Sequence, residues 1–194
     1  MSKVDKFNIY LIGVGGQGIG LLSEVIIRAC DHAGYPVRGV DTHGLAQRGG
    51  TVISHIRIGE GVYSPLIKEG FADLLAALER NEALRGLNNL KDGGTLVYYN
   101  AMWQPLSTRL GKSKKLEESV ISEECASRKI REIKVFREDL EDSRMQNVAV
   151  LSEMAKFELI PGVGRVHYEE ALKDLIAGKV LEKNLKVFGQ PDQL

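Results

Sequence analysis

The chain has 194 residues, 43% of them apolar, which is enough to bury one substantial core. Lysine plus arginine equals aspartate plus glutamate, and the resulting formal net charge of zero gives no sign of a nucleic-acid-binding surface. From this size and composition we expect a single domain over residues 1–194. No stretch approaches the roughly 20 apolar residues that a membrane span requires, so we expect the protein in the cytoplasm.

The first elements have the pattern of an α/β protein. Phe7 to Ile12 is an apolar strand, and apolar residues at helical spacing follow it from Ile19 to Ala33. Pro36 to Asp41 predicts a second strand after that helix. A strand, a helix and a further strand predict a right-handed βαβ unit, so we expect the two strands to pair in parallel.

The middle of the chain predicts one short antiparallel excursion followed by a return to the sheet. Residues alternate along the strand Thr51 to Ile58, and Val62 to Ile67 is predicted to return as its antiparallel partner. Ala72 to Leu78 predicts the next strand, followed by a helix over about Asn81 to Leu90 and a strand over Thr95 to Tyr99. A second βαβ unit is therefore expected here.

The last third contains a strand and two helices. Asn100 to Glu124 is predicted to be a peripheral excursion, and Ile130 to Phe136 alternates as a strand. Helical spacing follows over Asn147 to Leu159 and Tyr168 to Ile176, and Leu185 to Leu194 is predicted to be a tail. The fold class we expect is α/β, a Rossmann-like open, mostly parallel sheet with helices on both faces.

The run GVGGQG, from Gly13 to Gly18, follows the first strand and opens the first helix. Small residues there leave backbone N–H groups facing an anion at the start of the helix. An equally simple interpretation is that the glycines let helix and strand pack closely. A polar Gln17 stands where many dinucleotide-binding turns carry a smaller or apolar residue, which disfavours NAD. The candidate residues for an anion or coenzyme A are Gly13, Gly15, Gly16, Gln17 and Gly18.

The loop DTHGLAQRGG, from Asp41 to Gly50, follows the second predicted strand at the ligand end of the sheet. Asp41 stands roughly where a dinucleotide-binding domain places the acid that binds a ribose hydroxyl. An arginine before two glycines suits contact with an anion or a partner surface, although a surface arginine in a turn is the alternative. The candidates for a partner or substrate-access loop are Asp41, His43, Gln47, Arg48, Gly49, Gly50 and, on the next strand, Arg57.

Catalytic and metal-binding patterns are not recognisable. His43 has no carboxylate or nucleophile at a spacing that would support a triad, so no catalytic residue is assigned. Cys30 and Cys125 lie far apart in the sequence without a metal-ligand spacing, so no metal site is assigned either.

Several of these segments together resemble one known family. GVGGQGIGLLSEVI, DTHGLAQRGGTVISHIRIG, SPLI with ADLLAALE, and GTLVYYN are similar to the gamma-subunit family of 2-oxoacid:ferredoxin oxidoreductases. The version THGLAQRGG is most similar to the indolepyruvate branch. The strong motifs run from about Phe7 to Asn100, and a looser similarity continues to Gln190, so the resemblance covers most of the chain.

The resemblance implies a subunit of a complex that oxidatively decarboxylates a 2-oxo acid, of the indolepyruvate or aryl pyruvate type, to an acyl-CoA. It implies that no cofactor is carried here, and that thiamine diphosphate, magnesium, iron–sulfur clusters and coenzyme A lie on or with larger partner subunits that reduce ferredoxin. The chain is expected to be inactive alone, to complete the assembly or a CoA or substrate-access surface, and to be able to form a homodimer when isolated. A self-sufficient NAD(P)-binding oxidoreductase and a nucleotide-binding interaction module remain open as alternatives.

Overall fold

A computed structural model of the chain describes residues 6–43, 50–102 and 117–189, without the side chains of His43 and Ser143. The strands are β1 (Phe7–Val14), β2 (Val37–His43), β3 (Thr51–Ile58), β4 (Ala72–Ala77), β5 (Leu90–Tyr99) and β6 (Arg131–Val135). The helices are α1 (Ile19–His32), α2 (Arg80–Gly86), α3 (Glu118–Ser127), α4 (Gln146–Lys156), α5 (Arg165–Leu175) and α6 (Gly178–Phe188), with short 3-10 turns at Leu87–Asn89 and Ser143–Met145.

The six strands form one sheet in the order β2-β3-β1-β4-β5-β6. β1, β4, β5 and β6 pair in parallel, whereas β3 is antiparallel to both of its neighbours, β1 and β2. Five strands therefore run in one direction and only β3, among the described strands, runs in the other. The carboxyl ends of these five strands and the amino end of β3 meet at one side of the sheet, which we call the carboxyl edge.

Helices cover both faces of the sheet. One core joins the sheet to α1, α4, α5 and α6, and the α1 residues that fill it recur at helical spacing: Ile19, Leu22, Val25, Ile26, Ala29 and Cys30. The second core lies under α2 and α3 and takes the alternate β1 residues, Tyr10 and Ile12. The structure confirms the expected fold class, an open and mostly parallel sheet with an antiparallel excursion and helices on both faces.

The predicted faces of β3 are also confirmed. Val52, Ser54, Ile56 and Ile58 are buried on the side of α1, and the residues between them are half-buried on the other side. This alternation follows from the two-residue side-chain period of a strand.

The predicted parallel pairing of the first two strands is wrong. β3 lies between β1 and β2, with Val14 opposite Thr51 and His43 opposite Val52. The short connection over residues 44–50 lets the chain return as a hairpin beside β2, and β3 then takes the place next to β1. The direction of β2 relative to β1 is as predicted, but the neighbour is not.

Two further predictions are corrected. The segment 62–67 forms no strand, because side chains satisfy its backbone: Arg38 donates to the carbonyl of Val62, and the backbone N–H of Ile67 donates to Nδ1 of His55. The predicted tail is helical as far as Phe188, since α6 buries Phe188 against the first core.

Candidate functional site

The turn between β1 and α1 is built by glycines with left-handed backbone. The backbone N–H of Gln17 donates to the carbonyl of Val14 at 3.0 Å, which closes the turn. Gly16 has φ of 100° and Gly18 has φ of 86°, a region in which a side chain is strained. α1 begins after Gly18 without a side-chain cap, so the N–H groups of its first turn remain available to an anion.

The glycines of this turn have different roles. A Cβ on Gly18 would lie 2.5 Å from Nδ2 of Asn147, and one on Gly13 would lie 2.9 Å from Cδ1 of Ile19. These two glycines permit close packing, as the packing interpretation of the run expected. A Cβ on Gly16 would meet nothing within 4 Å among the described residues, so Gly16 faces open space.

Gln17 adds a buried donor to the turn. Its side chain is 1% exposed, and Oε1 accepts a hydrogen bond from the backbone N–H of Val14 at 2.8 Å. Nε2 is buried without a hydrogen-bond partner in the described part of the chain. Buried polar groups normally have a hydrogen-bond partner. The amide nitrogen Nε2 of Gln17, beside the start of α1, is therefore suited to donate to an acceptor atom of a ligand.

The second glycine loop meets the first at the carboxyl edge. The backbone N–H of Gly15 donates to the carbonyl of Gly50 at 2.8 Å, so the loop end of the β2–β3 hairpin is bonded to the glycine turn. His43 is the last residue of β2 and lies at the same edge. Gln47, Arg48 and Gly49 lie outside the described residues, and their predicted roles stay predictions.

Asp41 lies on β2 but is directed to the helix above it. Its Oδ1 accepts a hydrogen bond from Oγ of Ser23 at 3.1 Å, and the hydroxyls of Ser23 and Ser54 are 2.7 Å apart. β3 separates β2 from β1, so Asp41 lies two strand spacings, about 10 Å in total, from β1. β1 is the strand that leads to the glycine turn. This placement disfavours the expected ribose contact of a dinucleotide.

Arg57 is not brought to the site. It lies near the far end of β3, about 20 Å from Thr51 along an extended strand. Its guanidinium donates to Oδ1 of Asn8 and to the carbonyls of Ser64 and Leu66. Arg57 therefore secures the segment after β3 rather than extending the polar surface of the carboxyl edge.

A pair of carboxylates at this edge was missed by the sequence reasoning. Glu79 and Glu82 follow β4, and both are buried, at 1% and 5% exposed. Arg85 donates to Oε1 of Glu82 at 2.6 Å and to Oγ1 of Thr51 at 2.5 Å. Burial raises the pKa of the Glu82 carboxyl, with Arg85 opposing that rise. The available signal was the position of two acids directly after a parallel strand.

The described residues hold no group of three His, Cys, Asp or Glu side chains arranged for a metal ion. Cys30 and Cys125 are both buried, but in the cores on opposite faces of the sheet. They do not form a pair of ligands. None of the helices in the described ranges has the length and apolar character needed to cross a bilayer.

Sequence comparison gives consistent relatives. Residues 8–190 match the model of the family described as pyruvate ferredoxin/flavodoxin oxidoreductase. The indolepyruvate oxidoreductase subunit IorB of Archaeoglobus fulgidus is 36% identical over 185 residues, covering 93% of this chain and 91% of the relative. IorB of Pyrococcus horikoshii is 34% identical over 191 residues, covering 95% of this chain and 94% of the relative.

Solved structures share the fold at lower identity. A keto/oxoacid ferredoxin oxidoreductase gamma subunit from Geobacter sulfurreducens is 21% identical with a TM-score of 0.65, and the match covers 94% of each chain. The 2-oxoglutarate:ferredoxin oxidoreductase from Magnetococcus marinus is 20% identical with a TM-score of 0.71. That match covers 96% of this chain but only 30% of the other, so the same fold there forms one part of a longer polypeptide.

Proposed function

The chain belongs to the pyruvate ferredoxin/flavodoxin oxidoreductase family, and from that membership we propose that it is a subunit of a 2-oxoacid:ferredoxin oxidoreductase complex without catalytic activity of its own. The family membership confirms the resemblance that the glycine motifs indicated. The observation that carries the proposal is the match to curated oxidoreductase subunits over more than nine-tenths of the chain.

The complex is proposed to convert a 2-oxo acid and coenzyme A into an acyl-CoA and carbon dioxide, and to pass two electrons to ferredoxin. Thiamine diphosphate with magnesium supplies the decarboxylation chemistry, and iron–sulfur clusters supply the electron path. We assign these groups to larger partner subunits. The donor set supports this assignment, because Cys30 and Cys125 lie on opposite faces of the sheet and cannot ligate one cluster together.

The substrate class we propose is an aryl pyruvate, with indolepyruvate as the first candidate. Both full-length relatives carry indolepyruvate in their names and share about a third of their residues with this chain. The acid itself would be recognised mainly by the larger subunit, so substrate identity is tested on the complex.

The chain's own contribution is proposed to be a surface at the carboxyl edge that contacts the partner and coenzyme A. Three features suit an anionic or carbonyl-bearing ligand, as far as the described residues show: the first turn of α1 has no side-chain cap, Gly16 faces open space, and Nε2 of Gln17 has no hydrogen-bond partner. The Arg48 loop begins and ends at the same edge and supplies a guanidinium for an anion.

The test is to purify the tagged chain from its native cells and assay the eluate for CoA-dependent reduction of a viologen dye. Indolepyruvate, phenylpyruvate, pyruvate and 2-oxoglutarate are compared as substrates. We expect a larger subunit to co-elute and the aryl pyruvates to be used best. A single chain without a partner or activity would contradict the proposal, and preference for pyruvate or 2-oxoglutarate would contradict the substrate class.

A further inference from the structure

Glu82 has one carboxylate oxygen that the described residues leave without a hydrogen-bond partner. Its side chain is 6% exposed, and Oε1 accepts from Nη1 of Arg85 at 2.6 Å. Oε2 is buried and finds no hydrogen-bond partner within the described ranges. A buried oxygen of a charged group is normally paired, so Oε2 points to a donor that comes from outside the described chain.

The charges around Glu82 do not balance. Glu79, beside it, is 1% exposed, and the hydrogen bonds that its side-chain oxygens accept from described residues come from uncharged groups, the backbone N–H of Glu82 and the amide of Asn81. Arg85 makes the one ion pair to either carboxylate among the described residues, and its side chain is 61% exposed. Within the described ranges, two buried carboxylates thus have one guanidinium between them, which pairs with Glu82 alone, and one negative charge is left over.

Neighbouring groups respond to this excess charge. The pKa of Tyr10 is raised first by burial and then by the negative charge of Glu82. The pKa of Glu82 is itself raised by burial, with Arg85 opposing that rise and Glu79 adding to it. The surroundings of Oε2 therefore favour an added positive charge.

Glu82 is buried beside the surface that the proposed function assigns to assembly. Arg85 joins it to Oγ1 of Thr51, and Thr51 pairs with Val14, the last residue of β1 before the glycine turn. The hydrogen bond from Gly15 to Gly50 lies directly beside this pair. The acid is thus adjacent to both glycine segments at the carboxyl edge.

We propose that Oε2 of Glu82 receives a cationic N–H donor, a lysine ammonium or an arginine guanidinium, from the larger subunit when the complex assembles. The inference rests on the proposed function. A cation balances the leftover charge, which a neutral donor does not. A side chain anchored in a partner subunit reaches this buried oxygen while the surrounding interface excludes water, and such an enclosed pair is strong.

The test compares the complex containing Glu82→Gln with the wild-type complex and with Asp73→Asn. Glutamine keeps the shape of Glu82 but cannot balance a cation. Asp73→Asn is the matched control, because it changes the net charge of the chain by the same amount as Glu82→Gln. It lies at the amino end of β4, where it accepts from the backbone N–H of Asn8 and pairs with Lys91 of its own chain.

Each complex is diluted in stages, and the concentration at which half of the larger subunit has dissociated is measured. We expect Glu82→Gln to raise that concentration about 30-fold and Asp73→Asn to leave it within about twofold. We also expect the melting temperature of the Glu82→Gln chain to equal or exceed that of the wild type.

Three results would overturn the inference while leaving the proposed function intact. The first is that Glu82→Gln changes neither the dissociation of the complex nor its KM values. The second is that the melting temperature of Glu82→Gln falls, which would assign Glu82 a structural role. The third is that dissociation is unchanged but the KM for coenzyme A or for the substrate rises. The last result would assign the acceptor to a small molecule. A wild-type chain that brings no larger subunit with it would overturn both proposals.

Discussion

Gly18 combines two constraints that can be separated by substitution. Alanine at Gly18 must adopt a left-handed backbone, and its Cβ would displace the Asn147 side chain that donates to the Gly18 carbonyl. Gly16 also has positive φ but faces open space, so it is the matched control. We expect Gly16→Ala to lower the free energy of unfolding by about 1–2 kcal/mol and Gly18→Ala to lower it by about 1 kcal/mol more. Urea unfolding measures both, and equal losses would contradict the packing role of Gly18.

At the residue scale, Glu82 also predicts a pH dependence. Its raised folded pKa means that the folded chain holds a proton to a higher pH than the unfolded chain does. The stabilising contribution of the protonated carboxyl is therefore complete below the ordinary glutamate pKa of about 4.3 and is lost as the pH rises through the folded value. Glutamine has no carboxyl group and does not ionise over this pH range. In melts from pH 4 to pH 8, we expect Glu82→Gln to gain stability over the wild type as the pH rises, and a constant difference would contradict this.

At the scale of elements, α6 is part of the core although its sequence was predicted to be a tail. Phe188 is 1% exposed, packs near Tyr168, and accepts a hydrogen bond at its carbonyl from Oγ of Ser152. We expect Phe188→Ala to lower the free energy of unfolding by about 3–5 kcal/mol. Val180 of the same helix is 60% exposed, so Val180→Ala should change stability by no more than about 0.5 kcal/mol. A small effect of Phe188→Ala in chemical denaturation would show that α6 is dispensable.

The hairpin of β2 and β3 shows which features of an element its sequence determines. Alternation along Thr51–Ile58 predicted the strand and its buried face correctly, because side-chain period depends on the strand alone. It could not predict the neighbour of β3, because pairing depends on where the short connection over 44–50 lets the chain return. The prediction for Arg57 failed for a related reason. Thr51 and Arg57 share a face of β3, but Thr51 lies at the carboxyl edge and Arg57 near the other end of the strand, where it bonds to Asn8.

For the whole molecule, the glycine run correctly located the strand-to-helix turn and the edge where the second loop arrives. Local pattern sufficed there because positive φ and close packing both demand glycine. Glu82 was not predicted, since its importance comes from its burial, from its pairing with Arg85 and from Oε2, which has no hydrogen-bond partner in the described part of the chain. These are consequences of tertiary contacts. Asp41 was misleading for the same reason, because a strand inserted between β1 and β2 changes what lies beside it.

At the scale of the whole molecule, Arg48 gives the sharpest test of the surface proposed at the carboxyl edge. If the loop between His43 and Gly50 contacts coenzyme A or the partner, Arg48→Ala removes the guanidinium that makes a charge-assisted hydrogen bond to it. We expect CoA-dependent turnover of the assembled complex to fall about tenfold to hundredfold, through a raised KM for coenzyme A or through loss of the larger subunit from the eluate. Measuring both quantities separates these two routes.

Arg28→Ala is the matched control for that experiment. Arg28 lies beyond the middle of α1, is 47% exposed on its side chain, and pairs with Asp174 of α5 on the outer surface. Exposed pairs of this kind contribute at most about 1 kcal/mol, so this variant should keep normal turnover and assembly. Because both variants lose one arginine, a defect confined to Arg48→Ala assigns the effect to the carboxyl edge. Equal turnover and equal assembly in the two variants would remove the Arg48 loop from the proposed surface.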